Sequence, residues 1–171
     1  MTLDKYTIKA QEAVQAGVQA AQAAQQQSVE PIHLLKGILE KAQDITHFIF
    51  QKLGVNAQAV DMALHNELQH LPKVSGGQPY LSNDSVQVLN KAEELSQKMG
   101  DEFVSVEPIL LALMQGNHTA GRILKDAGCT EEGVRKAIES LRQGQQVKSQ
   151  SGDENYQALS KYATNLVEKA R

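Results

Sequence analysis

The pentapeptide Ser28-Val29-Glu30-Pro31-Ile32 returns unchanged 77 residues later as Ser105-Val106-Glu107-Pro108-Ile109. A second set in the same order, Ile49, Gly54, Val60 and Ala63, is answered at a spacing of 74 by Ile123, Gly128, Val134 and Ala137, with Ile138 in the place of Leu64. Two ordered sets at nearly one spacing mean duplication, with three residues lost in between, so the chain must fold as two copies of one unit.

The unit is helical. Aromatic residues make up 4% of the 171 residues and Trp is absent, whereas Ala, Leu, Gln, Glu and Lys abound, a bias towards helix. Ile8, Val14, Gly17, Val18, Ala21 and Ala24 share one helical stripe, and Val86, Leu89, Ala92, Leu95 and Met99 form its counterpart. Ser82 suits an N-cap, Asp84 complements the dipole of the turn beyond it, and Gly100 stands where a left-handed residue ends a helix. Pro31 and Pro108 suit the first turn of short second helices, which continue as the apolar faces of Ile32, Leu34, Leu35, Ile38 and Leu39, and of Ile109, Leu110, Leu111, Leu113 and Met114. Third helices stop at Gly54 and Gly128, and fourth helices are capped by Asn56 and Thr130. The turn formers of 72–79 link the copies.

The fold class expected is therefore all-α: two tandem pseudo-symmetric four-helix repeats, repeat one over about 1–71 and repeat two over about 81–142. Residues 143–154, rich in Gly, Ser, Gln and charge, read as a flexible linker beyond a domain that ends near Arg142. The stripe Leu159, Tyr162, Ala163, Leu166, Val167 and Ala170 reads as a partial C-terminal helix over 155–171.

Several chemistries find no support. The net charge is −3 without a block of either sign, so the basic stripe of a nucleic-acid binder is missing. No run reaches the ~18 apolar residues of a membrane span, and the single cysteine, Cys129, fits a reducing compartment; a cytoplasmic location is the expectation. No G-x-x-x-x-G-K-[ST] loop is present to cradle nucleotide phosphates. Among the five histidines only His65 and His70 lie close together, at a spacing that does not share a helical face, so neither metal nor cofactor is expected. Cys129 follows Gly128 at a helix start, where a reactive thiol is conceivable; a packed, idle thiol is the competing reading.

The repeat with its Glu-Pro-Ile-His-Leu-Leu word and the tail Ala158-Leu159-Ser160-Lys161-Tyr162-Ala163-Thr164-Asn165-Leu166 resemble the amino-terminal double-repeat domain of the Clp/Hsp100 family, in particular its ClpB-type disaggregase branch. The resemblance covers nearly the whole chain. It implies a client-recognition module, not itself an enzyme, that engages exposed apolar segments of misfolded or aggregated proteins. It further implies a parent that is a homohexameric AAA+ chaperone using ATP and Mg with an Hsp70 partner, of which this chain would be a monomeric fragment leading into a first ATPase module. The alternative it leaves open is docking of a dedicated adaptor protein.

Comparison of the copies points to a place. Before Ser28 stand Gln25, Gln26 and Gln27; before Ser105 stand Gly100, Asp101, Glu102, Phe103 and Val104, the only loop of the two with an aromatic flanked by acids. An apolar groove rimmed by Asp101 and Glu107 is one reading; Phe103 and Val104 plugging a helix junction is the other. The resemblance implies client handling for Thr7, Asp101 and Glu107, and groove positions for Leu89 and Leu95, while Lys91 and Pro108 stand where relatives tend to have leucine. Thr7 is equally an ordinary N-cap for the helix beginning at Ile8. The expected client-binding set is thus Thr7, Leu89, Leu95, Asp101, Phe103, Val104, Glu107 and Pro108, with the two acids exposed and removable for less than ~1 kcal/mol of stability. His33, set between Ile32 and Leu34, reads as a structural histidine and not as a contact.

Overall fold

The duplicated pattern becomes two helical repeats in the computed structural model, which describes residues 3–74, 76–154 and 156. Repeat one comprises α1 (Ile8–Ala23), α2 (Pro31–Lys41), α3 (Gln43–Leu53) and α4 (Ala57–Gln69); repeat two comprises α5 (Asn83–Lys98), α6 (Val106–Gln115), α7 (Thr119–Asp126) and α8 (Glu131–Arg142). The helix ends lie where the local chemistry puts them. Thr7, Asn56, Ser82 and Thr130 each accept a backbone N–H of the first turn. Gly54 (φ 68°) and Gly100 (φ 77°) take the left-handed conformation expected of them.

Each repeat is built around its first two helices. α2 and α6 are buried nearly all round, as their wide apolar faces foretold. The α1–α2 contact is backbone-close: a Cβ on Gly37 would run into the carbonyl of Ala13, and one on Gly17 into the carbonyl of His33. Ala10, Ala13 and Ala21 line the same seam, whereas Ile8, expected on it, is 45% exposed. Across the repeats α3 packs on α8, α4 on α7 and α2 on α6, so one continuous core runs through both copies.

Two short parallel pairings stitch the copies together. The segment entering α5 forms β2 (Tyr80–Leu81), which pairs with β1 (Ser28–Val29) at the entrance of α2. In the other direction the segment entering α1 pairs with the entrance of α6: the Val104 N–H donates to the Lys5 carbonyl at 2.7 Å, and the Thr7 N–H to the Val104 carbonyl at 2.9 Å. Each repeat thus lends its leading segment to the other.

The expected domain end at Arg142 is corrected by the course of the chain beyond α8. Gln143 (φ 51°) and Gly144 (φ 83°) turn the chain back at the end of that helix. Residues 143–154 then lie along the domain, ending in a 3-10 turn at Gly152–Glu154, with Val147, Gly152, Asp153 and Tyr156 buried. Composition misleads because ordering here uses few apolar side chains. The Gln150 carbonyl accepts the Ile8 N–H, a donor that no turn of α1 can satisfy, and the Val147 carbonyl accepts the Glu102 N–H. The partial helix expected over 155–171 lies outside the described residues apart from Tyr156.

The close α1–α2 approach makes a prediction. Gly37→Ala must push α2 away from the Ala13 carbonyl and should lower the unfolding free energy by about 2 kcal/mol or more in urea melts. Gly54→Ala, at a left-handed position with no atom close to the added methyl, should cost only about 1 kcal/mol.

Candidate functional site

Thr7, Leu89, Leu95, Val104, Glu107 and Pro108 are all buried, and Phe103 is half-buried against the core. Leu89 and Leu95 face the interior from α5. Thr7 caps α1, its Oγ1 accepting the Ala10 N–H at 3.1 Å and donating to Asp153 Oδ2 at 2.7 Å. The Asp101 and Glu107 side chains are 0% exposed. The reading in which these acids rim an open groove is therefore corrected: they hold the packing together, as the helix-junction reading has it for Val104.

What they hold is Arg142, the last residue of α8. Its Nε donates to Glu107 Oε1 at 3.1 Å, its Nη1 to Asp101 Oδ1 at 2.9 Å and its Nη2 to Ser105 Oγ at 2.9 Å. The Tyr156 ring lies under the guanidinium, and its hydroxyl donates to Glu107 Oε1. Asp101 Oδ1 also accepts the Val147 N–H. Burial works against the Arg142 charge, but Glu107, Tyr156 and Asp101 outweigh it and raise its pKa. Burial and Glu107 push the Tyr156 hydroxyl up, so it remains a donor. The signal for such a partner was a lone acid within the apolar run of α6; nothing in the local sequence says that its cation sits 35 residues downstream.

Repeat one solves the equivalent junction without charge. The Glu30 N–H donates to His33 Nδ1 at 2.9 Å, which leaves the ring proton on Nε2, 2.7 Å from Gln26 Oε1; Gln26 Nε2 in turn donates to the Leu68 carbonyl at the end of α4. Burial lowers the His33 pKa to about 4, so the relay is neutral. This is the structural histidine expected from sequence. Cys129 is buried, and burial raises its pKa to about 11, which leaves neither the thiolate nor the access that a nucleophile requires. Among the described residues no cluster of three or more His, Cys, Asp or Glu is placed to hold a metal ion.

The second repeat does present an open concavity, elsewhere than on those acids. Between α5 and α6 lies a groove of about 300 Å³, with Val88 and Ala112 among its lining. Asp84, Gln87, Lys91, Gln115, Asn117 and His118 surround them. Lys91 is half-buried and its nearest acid, Glu94, is 3.8 Å away. The His118 ring caps α7 through Nδ1, and burial lowers its pKa, which favours the uncharged ring. The groove can offer hydrogen bonds along its length and a small apolar floor.

Residues 5–127 match the family described as the Clp repeat (R) N-terminal domain. The chain is 53% identical over 171 residues to the chaperone protein ClpB of Bacteroides thetaiotaomicron, and 45% identical over 171 residues to that of Porphyromonas gingivalis. Each alignment covers 100% of this chain and 20% of the relative, so the chain spans about one fifth of their length. Among solved structures, the Hsp104 N-terminal domain from Candida albicans superposes with a TM-score of 0.76 at 21% identity, covering 88% of this chain and 99% of that one. The N-terminal domain of ClpD from Arabidopsis thaliana gives 0.63 at 21% identity, over 82% and 96%.

The buried ionic knot predicts the reverse of the sequence expectation. Glu107→Ala, which leaves Arg142 a single acid, should cost about 3–5 kcal/mol in a urea melt, whereas Glu30→Ala, half-exposed at the matching place, should cost about 1 kcal/mol or less. The paired variant Glu107→Leu with Arg142→Met should recover much of that loss. A Glu107→Ala loss no larger than that of Glu30→Ala would show that the ion pair carries no weight.

Proposed function

Because the chain belongs to the Clp repeat N-terminal domain family, we propose that it is the client-recognition domain of a Clp-type, ATP-dependent protein disaggregase, and that it takes exposed segments of misfolded proteins into the α5–α6 groove. The observation that carries this reading is similarity along the whole of this chain to one fifth of the length of ClpB chaperones, combined with an open, hydrogen-bonding groove on the second repeat. The polar lining suits the main-chain amides of an extended polypeptide, which every unfolded client presents whatever its sequence. Val88 and Ala112 suit small apolar side chains. Within the same reading the parent is a cytoplasmic AAA+ hexamer working with an Hsp70 partner, and the domain hands clients to its ATPase ring.

With so small an apolar floor, burial of about 100 Å² of apolar surface across both partners contributes about 2–3 kcal/mol before ordering costs, so binding is micromolar or weaker. Weak capture suits a site that must release. Fluorescence titration with an unfolded apolar polypeptide tests it. Lys91→Leu should tighten binding about threefold by extending the apolar floor, with the unfolding free energy changed by less than about 0.5 kcal/mol. Affinity unaffected by Lys91→Leu would remove the groove as the client site, and saturable binding of one folded partner with indifference to unfolded chains would favour adaptor docking.

A further inference from the structure

Three carboxylates are closed from solvent: Asp101 and Glu107 around one guanidinium, and Asp153 close enough to Glu107 to feel its charge. Two of them touch Arg142. The third, Asp153, accepts a hydrogen bond only from Thr7 Oγ1, and its Oδ1, like Glu107 Oε2, has no partner among the described residues. With every acid ionised, three buried carboxylates would face one buried guanidinium and leave two negative charges uncompensated, which is costly; a proton on one acid halves that excess. Among the described residues Asp153 is the acid without a paired cation, since Lys9 of α1 is paired with Asp44. It also sits on the strap of residues 143–154, whose grip on α1 consists of the Thr7–Asp153 bond and the Ile8 N–H to the Gln150 carbonyl.

We propose that this strap is a proton-sensitive latch: it docks across the start of α1 with Asp153 protonated and loosens when Asp153 gives up that proton. The groups facing Asp153 are Thr7 at the cap of α1 and Lys9 within it, Glu107 from α6, Glu154 from the strap itself and Tyr156 beyond it. Burial first, and Glu107 second, raise the Asp153 pKa from 3.8 to about 7, against the smaller opposing effects of Thr7 and Lys9. The docked strap therefore holds more protons than the released one between pH 4 and 7 or so. Docking weakens as pH rises through that window and levels off above it, with the equilibrium about tenfold weaker at pH 8 than at pH 6. A released strap of about twelve residues extends the reach of the chain beyond it by about 20 Å.

Amide exchange in the 171-residue chain reads the latch directly. After correction for intrinsic rates, protection at Ile8, Glu102 and Val147 should fall about tenfold from pH 6 to pH 8, while Leu35 in α2 changes much less. Asp153→Asn, which keeps the acceptor for Thr7 and cannot ionise, should abolish the fall. Equal protection at the two pH values, the same fall in Asp153→Asn, or an equal fall at Leu35 would each overturn the latch. Carbon NMR of the Asp153 carboxyl in the unaltered chain gives a check that needs no variant to fold: a midpoint near 7 supports the proposal, and one near 4 overturns it.

Discussion

A single buried guanidinium holds together stretches that are far apart in the chain. Arg142 ends α8, yet it bonds to the loop before α6 through Asp101, to the cap of α6 through Ser105 and its first turn through Glu107, and lies over Tyr156 beyond the strap. An ion pair so enclosed need not add net stability over apolar side chains of the same shape, because both partners lose their hydration. What it does add is geometry. A guanidinium presents its donors in one plane, so the loop, α6 and α8 satisfy it together in one relative placement. In repeat one the neutral His33–Gln26–Leu68 relay ties the same junction to the last helix and carries no desolvated charge. The copies thus share a mechanical problem and solve it with different chemistry, and only the ionic solution reaches out to the strap.

The exchanged leading segments explain why two halves of one design behave as one body. Residues entering α5 are hydrogen-bonded to repeat one, and residues entering α1 to repeat two. Pulling the copies apart would strip backbone groups on both sides at once, in addition to opening the shared core. The strap extends this arrangement. By accepting the Ile8 N–H it closes the exposed start of α1, at the place where the first repeat has already been clamped to the second.

Most of the fold is legible because it is written in local periodicity. The Pro31 and Pro108 starts, the Ser82, Asn56 and Thr130 caps and the Gly54 stop each need only a few neighbouring residues to act, and each acts as expected. The misreadings share another cause. Asp101 and Glu107 read as surface acids because acids usually are; their burial depends on Arg142 and Tyr156, 35 or more residues away, which no local pattern links to them. The strap reads as a tether since it has few apolar side chains, but beside the buried Val147 its order comes from backbone carbonyls meeting unsatisfied N–H groups, a property that composition does not record. The α5–α6 groove leaves no sequence signal for a related reason: its boundary is set by how the polar sides of two helices splay, whereas the sequence pattern reports their apolar sides.

Two buried titrating groups act on the domain with opposite sign. His33, lowered to about 4, favours the unfolded chain as pH falls below 6.5, since only there can it take a proton freely. Asp153, raised to about 7, favours the folded chain over nearly the same range, because the buried carboxyl keeps a proton that a solvated one would release. Their effects on global stability largely cancel between pH 4 and 6.5. They do not cancel at the strap, since His33 lies in the α2 junction of repeat one and Asp153 lies under the start of α1. Loss of one proton can therefore loosen the chain at its exit from the domain while the helices that form the α5–α6 groove keep their stability, which separates the reach of the domain from the integrity of its binding surface.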